Sequence, residues 1–375
     1  MSAPPRTHPR FQPKPAEPGR PELVRSRRLS GSAFAVLVAG LVLGVALSTV
    51  LAVSLGPVHV PFDVTAGIIA HHIAPDVTGP VGTPVQNQIV WDLRLPRAVL
   101  ALLVGAGLAL VGTVLQAVVR NPLADPYLLG VSGGAAFGAV AVLVLGSAAV
   151  GGLSLSAAAF AGGLVATTVV YLLAQRRGRV TPTRLILAGV AVAYLFQAGY
   201  SFLLITAPNP QGLQGVLFWL LGSLATVRWD GLAVPGAVLA VGSVLLLVEA
   251  RPLNALLTGD DSAVSLGIDV QRLRIRLVMV TSLLTGVMVA SSGAIAFVGL
   301  IVPHFVRLLV GAEHRRVLPA ALLTGAVFLQ LVDTLARTVR PPVELPLSIV
   351  TAAVGVPFFL WLLRRQDRTG EASAA

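Results

Sequence analysis

The sequence predicts an all-α polytopic membrane protein with ten transmembrane helices, arranged as an inverted repeat of five helices each. Three observations carry that reading. Of the 375 residues, 55% are hydrophobic and only 11% charged, with a mean hydropathy of +0.85. A soluble domain carries about 25% charged residues, and a disordered chain needs low hydrophobicity with high charge. The apolar residues gather into runs near the ~20 that cross a bilayer as a helix. The cations are sorted between alternate loops, as the positive-inside bias requires.

The elements follow in order. Met1–Ser30 is polar, proline-rich and basic (Arg6, Arg10, Lys14, Arg20, Arg25, Arg27, Arg28) and reads as a disordered cytoplasmic tail. Ala33–Gly56 is too long for the apolar core of a signal peptide and is the first span. Pro57–Trp91 reads as a polar loop with Asp63, Asp76 and the adjacent His71 and His72. Adjacent histidines lack the i,i+4 spacing that brings two ligands to one metal on a helix, so no metal site is expected. Spans two to seven are Leu95–Val118, Ala124–Gly146, Leu153–Gln175, Arg184–Thr206, Leu232–Ala250 and Leu273–Ala296. Between spans five and six, Gly215–Asp230 carries Phe218, Trp219 and Trp229. It reads as an interfacial or re-entrant helix on the outer side, because tryptophan favours the headgroup level. Phe297–Gly311 is short and carries Pro303, His304 and Arg307; Leu318–Arg337 and Glu344–Leu363 complete the set.

Charge decides whether the short segment counts. With ten spans and the N-terminus inside, twenty-one of the 27 Lys and Arg lie on the cytoplasmic side. Nine spans would carry Arg364, Arg365 and Arg368 outside, against the bias. Five arginines stay outside in the ten-span reading: Arg94, Arg97, Arg228, Arg337 and Arg340. The spacing of Gly105, Gly112 and Pro122 recurs 181 residues later in Gly286, Gly293 and Pro303. Span two runs inward and span seven outward, so the repeat is inverted, a frequent transporter plan. Gly130, Gly134 and Gly138 have the four-residue period that lets helix backbones approach closely.

Several activities are excluded. The chain has no cysteine, hence no disulfide or thiolate chemistry. Its single lysine, Lys14, is not in a Walker A loop. Ionisable groups near the membrane interior are His304, Arg307 and Asp333, and Asp333 stands four residues before Arg337, in reach of an i,i+4 pair. An ion-coupled carrier would need a midplane carboxylate, and a membrane-embedded enzyme clustered histidines and acids. Arg94, Arg97 and Arg337 break the charge bias, and arginine pairs bidentately with carboxylates. They read either as a docking surface for an acidic partner or as headgroup-snorkelling side chains. Arg251–Arg276 is too polar to span and too apolar for a free loop. Two short amphipathic helices broken at Gly259 and Gly267 fit it, as a cytoplasmic docking element or an interfacial pair.

Long motifs then coincide with a family. LRLPR (Leu93–Arg97), QAVVRNPLADPYLLGVSGGAAFGA (Gln116–Ala139), PLNALLTGDDSAVSLGIDV (Pro252–Val270), GAIAFVGLIVPHFVRLLVGAEHRRVLP (Gly293–Pro319) and ELPLSIVTAAVGVPFF (Glu344–Phe359) stand in order along the chain. From about Ser30 to Arg365 the chain resembles the FecCD-type permease subunits of type II ABC importers for iron-siderophores, haem and vitamin B12. The resemblance implies the type II permease fold over 31–365, a coupling segment at 251–272, a cytoplasmic tail at 366–375, and no catalytic residue. The partners it implies are a second permease copy or close paralogue, two cytoplasmic ATPase subunits, an extracytoplasmic binding protein presenting glutamates, and membrane lipid; nucleic acid is not among them. No cofactor is expected on this chain; ATP and Mg belong to the ATPase subunits. By the same resemblance Arg94, Arg97 and Arg337 receive the binding protein. Leu253, Leu256, Gly259, Asp260, Asp261, Leu266 and Gly267 couple to the ATPase. Gln116, Asn121, Pro122, Gln197, Pro303, His304, Glu344, Pro346 and Gly355 hold pathway or structural positions. The expected location is the bacterial cytoplasmic membrane with both termini inside, and the expected cargo an iron-siderophore, with haem or cobalamin as alternatives.

Overall fold

Inside a bilayer every backbone N–H and C=O has to be bonded within the protein, so long apolar runs become helices. The computed structural model describes residues 29–176, 179–207 and 213–372. The expected basic tail therefore lies outside the described residues, apart from Leu29 and Ser30. Among the described residues, seven helical stretches are long and apolar enough to cross a membrane, and three shorter apolar helices bring the set to ten. The helices are α1 (Gly31–Ser54), α2 (Phe62–Ile73), α3 (Leu95–Val119), α4 (Val131–Leu145), α5 (Leu155–Ala174), α6 (Pro182–Ile205) and α7 (Leu213–Leu220). They continue with α8 (Ala233–Val248), α9 (Ala250–Leu257), α10 (Asp260–Ser265), α11 (Val270–Ser292), α12 (Val298–Val310), α13 (His314–Thr338) and α14 (Leu347–Ala372). A minimal hairpin, β1 (Gln175–Arg176) and β2 (Arg179–Val180), joins α5 to α6.

One expectation about these segments needs correction. The stretch Pro57–Trp91 is not a plain loop. It holds α2, one helical turn at Pro84–Asn87 and a wide π-helical turn at Gln88–Arg94 that runs into α3. Ile68, Val60 and Val90 supply the apolar face, packed on Ala52 and Val53 at the end of α1. Thr83 and Gln86 form a capping box, each side chain accepting from the other's backbone N–H. Gly215–Asp230 includes part of the short helix that ends at Leu220, where Trp219 is half-buried against a cluster that includes Ala135, Ala139 and Val289.

Two carboxylates reveal the direction of the central helices. Arg97, at the start of α3, is bonded to Asp333 near the end of α13, while Arg120, at the end of α3, faces Asp260 at 3.7 Å. The same Asp260 accepts from Arg274 at the start of α11, at 3.1 Å. Helices α3 and α11 therefore run in opposite directions, as inverted halves demand. The glycine–proline register does not survive. Helices α3 and α11 begin at Leu95 and Val270 and end at Val119 and Ser292. Their ends thus correspond at an offset of about 175, whereas Pro122 lies beyond α3 and Pro303 inside α12. The repeat is one of helices, not of that motif.

Each central helix is followed by a stretch without α-helix, the first holding a 3-10 turn at Pro126–Leu129, and then a short helix. Arg120–Gly130 precedes α4 and Gly293–Phe297 precedes α12. The two stretches touch: the Tyr127 hydroxyl donates to the Ile295 carbonyl at 2.6 Å, and Pro126 occupies the space where Gly299 has no side chain. Helices of 15 and 13 residues rise only about 22 and 20 Å, short of the ~30 Å hydrocarbon core. This explains why Phe297–Gly311 looked too short to span.

Helix α3 is the most enclosed, with 83% of its apolar window buried. Backbones meet it directly: a Cβ on Gly105 would overlap the Gly325 carbonyl of α13, and one on Gly112 the Gly299 carbonyl of α12. Gly134 and Gly138 of α4 meet Gly162 and Ala158 of α5 in the same way. A polar link seals α1 to α13 and α3. Gln330 accepts from Ser48 at 2.6 Å and donates to Thr49 and to the Ala98 carbonyl.

Gly112→Ala should therefore destabilise by about 1–3 kcal/mol, because backbone cannot yield to the new methyl. Gly286→Ala, whose Cβ meets only the Phe160 ring at 3.4 Å, should be neutral or slightly stabilising. Thermal unfolding of the two purified variants in one detergent checks the contrast.

Candidate functional site

At one end of the bundle the three predicted arginines come together, but not as free surface cations. Arg94, Arg97 and Arg337 are 5%, 9% and 3% exposed. Arg94 donates to the carbonyls of Val53, Ser54 and Val58, and Arg337 to those of Ala52 and Leu55. Both guanidinium groups thus cap the C-terminus of α1, where unpaired carbonyls and the helix dipole favour a cation. Arg97 lies between two carboxylates. It donates to Asp333 from Nε at 2.9 and 3.1 Å and from Nη1 to both Glu344 oxygens at 2.9 Å. Arg337 adds a bond to Asp333 at 3.1 Å, the i,i+4 pair that the spacing suggested. Asp333 is fully buried, whereas the Glu344 side chain keeps 32% of its surface. Three cations face two carboxylates, so the cluster keeps one formal positive charge.

At the opposite end, the Arg251–Arg276 segment folds as two short helices, α9 and α10, broken by Gly259 and Gly267 in left-handed conformations that favour glycine. The structure divides the predicted coupling residues. Leu253 and Leu256 are buried in the bundle core and cannot meet a partner, because the apolar face of α9 turns inward. Leu266 and Asp261 are exposed, as are Leu257 and Val264, which the sequence reading did not select. Asp260 anchors the segment. It accepts from Arg274, which is 1% exposed and also donates to the Val180 carbonyl at 3.0 Å, and it faces Arg120. Arg276 pairs with Glu249 at 3.0 Å. Arg274 escaped sequence reasoning because nothing in its local pattern separates it from neighbouring Arg272, which stays exposed on Asp269.

The remaining positions scatter. Gln116 donates to the Gly299 carbonyl at 3.1 Å and accepts from Arg307. Asn121 accepts from the Leu123 N–H in the turn after α3, with Pro122 exposed beside it. Pro303 and His304 lie within α12, where the His304 ring meets Phe359 of α14 edge-on at 5.8 Å. Pro346 accepts from the Ile349 N–H at the start of α14. Gly355 is a packing position: a Cβ there would press on Phe297, whose own φ is +68°. Gln197 is exposed on α6. Among the described residues no three His, Asp or Glu side chains are placed to hold a metal ion.

Removing one partner of a buried pair leaves a charge without compensation. Asp333→Ala should cost about 3–5 kcal/mol, and Glu344→Gln, at the exposed rim, below about 1 kcal/mol. The order of unfolding temperatures checks this.

Comparison with known proteins places this architecture. Residues 40–365 match the model of the FecCD transport family. The chain is 46% identical over 287 residues to the cobalamin import system permease protein of Halobacterium salinarum, covering 76% of each. It is 41% identical over 287 residues to the hemin transport system permease protein of Yersinia pestis, covering 75% of this chain and 85% of that one. Among solved structures it is similar to an inward-facing putative metal-chelate type ABC transporter, with a TM-score of 0.76 and 34% identity over 88% of this chain and 99% of the other. The resemblance read from the motifs thus holds over the whole bundle: this chain is an ABC importer permease, a transport subunit and not an enzyme, and it belongs to the FecCD transport family.

Proposed function

We propose that the chain forms, with a second copy or close paralogue, the membrane path of an ATP-driven importer for a large metal chelate. The observation that carries the mechanism is Asp260. It ties α10 to the start of α11 and to the end of α3, the two central helices. A push on the exposed Leu257, Val264 and Leu266 by a cytoplasmic ATPase pair would pass through this one carboxylate into both halves. Helices α6 and α14 are the proposed lining of the path. Both leave apolar faces uncovered, Leu187, Tyr194 and Phe202 on one, Val354, Val356 and Leu360 on the other. In this reading the N-terminus, the α9–α10 segment and the C-terminus lie inside, and the Arg97 cluster outside. The domain limits stay as read, with 31–365 as permease and 251–272 as coupling segment.

Docking of an outer binding protein is proposed at the Arg97 cluster through exchange. Glu344 is the exposed carboxylate on Arg97, and a glutamate on the partner would replace it. The surplus positive charge of the cluster favours that exchange. Arg94 and Arg337 then support the site from beneath by holding α1. Glu344→Gln should tighten binding-protein association several-fold at low salt, an effect that added salt weakens. Unchanged affinity in a titration would remove Arg97 from the docking surface.

For the cargo, an iron-siderophore is the leading reading, in keeping with the metal-chelate transporter of similar structure. A cobalt corrinoid is the second, favoured by the 46% identical cobalamin permease. Vesicles carrying this chain, its ATPase and its binding protein should take up one labelled chelate among ferric siderophore, haem and cobalamin. Uptake should stop without ATP. Accumulation that persists on an ion gradient alone would sink the proposal.

A further inference from the structure

The outer arginine Arg228 has no part in either site. It stands at the mouth of a cavity of about 630 Å³ at the Arg97 end of the bundle, and none of the lining comes from the proposed path helices α6 and α14. The floor is α11 (Leu283, Val287), with walls from α5 (Phe160) and α8 (Val234, Val238). Inverted symmetry shows what is missing there. In the other half the equivalent helices are α13 and α1 over α3, and they pack on each other, sealed by Ser48, Thr49 and Gln330. Helices α5 and α8 have no such interface. The gap is mostly apolar, open on one side, and of a size typical of small-molecule sites.

The rim specifies the occupant. Arg228 and Asp230 are exposed, and neither side chain has a hydrogen bond or ion pair among the described residues. Trp229 between them donates its indole N–H to the Trp91 carbonyl at 2.9 Å, and the two rings lie 5.0 Å apart. Paired tryptophans of this kind mark the headgroup level. An acyl chain below and both charges above are the parts of a zwitterionic phospholipid. Its phosphate suits the guanidinium fork. Its ammonium can donate to Asp230 where it is a primary amine, which a quaternary one cannot. An anionic lipid would satisfy Arg228 but bring negative charge to Asp230. We infer that this cavity binds one phospholipid of the ethanolamine class, its chain between α5 and α8 and its headgroup across Arg228 and Asp230.

The test uses the full chain extracted in mild detergent from membranes containing phosphatidylethanolamine, phosphatidylglycerol and phosphatidylcholine. Native mass spectrometry reads the retained lipid. One phosphatidylethanolamine per chain is expected, preferred about tenfold over the other two. Val234→Trp, which fills the exposed wall, should lose it. Arg228→Ala should weaken all three lipids, whereas Asp230→Asn should abolish discrimination against phosphatidylglycerol. Equal retention of the three lipids by the wild-type chain, or no retained lipid, overturns the inference, as does retention undiminished by Arg228→Ala. The two rim variants change exposed side chains, so they decide the matter even where Val234→Trp fails to fold.

Discussion

The structure depends on the absence of side chains between touching backbones. Within lipid an apolar side chain gains little by leaving its surroundings for a neighbouring helix, so association relies on close packing and internal polar bonds. Gly105 against Gly325 and Gly112 against Gly299 bring α13 and α12 onto α3 at backbone contact. Every residue from Val104 to Val119 is consequently buried. A helix gripped this way does not bend to transmit a signal. Hinge or shear displacement with its neighbours is the mode open to helices packed this closely.

That rigidity puts the chemistry at the ends. Helix α3 is held at its start by Asp333 through Arg97 and approached at its finish by Asp260 through Arg120. The two carboxylates differ in character. Asp333 is fully buried with two arginines on it, a clamp whose loss would leave Arg337 without a carboxylate and Arg97 with Glu344 alone. Asp260 is partly exposed and carried on a six-residue helix between two glycines, while it holds Arg274 of α11. A buried anchor at one end and a partly exposed one at the other suit the proposed drive from the ATPase side.

Much of this was legible in the residue order. The ten segments, the helix pair broken at Gly259 and Gly267, and the pairing of Asp333 with Arg337 follow from local rules of length, turn conformation and helix spacing. The motif resemblance reached the family from the same page. Other readings failed for one common reason. Leu253 and Leu256 look like a docking face because leucine on a polar stretch is ambiguous, and only the body of the bundle beneath α9 turns them inward. Arg94 and Arg97 look free because Val53, Ser54, Asp333 and Glu344 are distant in sequence. The 181-residue glycine register matched by spacing alone, while helix ends place the true correspondence near 175.

By itself, then, the sequence determined which stretches enter the membrane and which way the charge is distributed, because hydropathy and charge act residue by residue along the chain. Tertiary structure alone decided which arginines are buried and by what, and that the stretches before α4 and α12 meet at Tyr127 and Ile295. It also decided that α5 and α8 leave a cavity where α1 and α13 do not. Those facts depend on distances between residues far apart in the chain, and a glycine or an arginine carries no local mark of the carbonyl it will face.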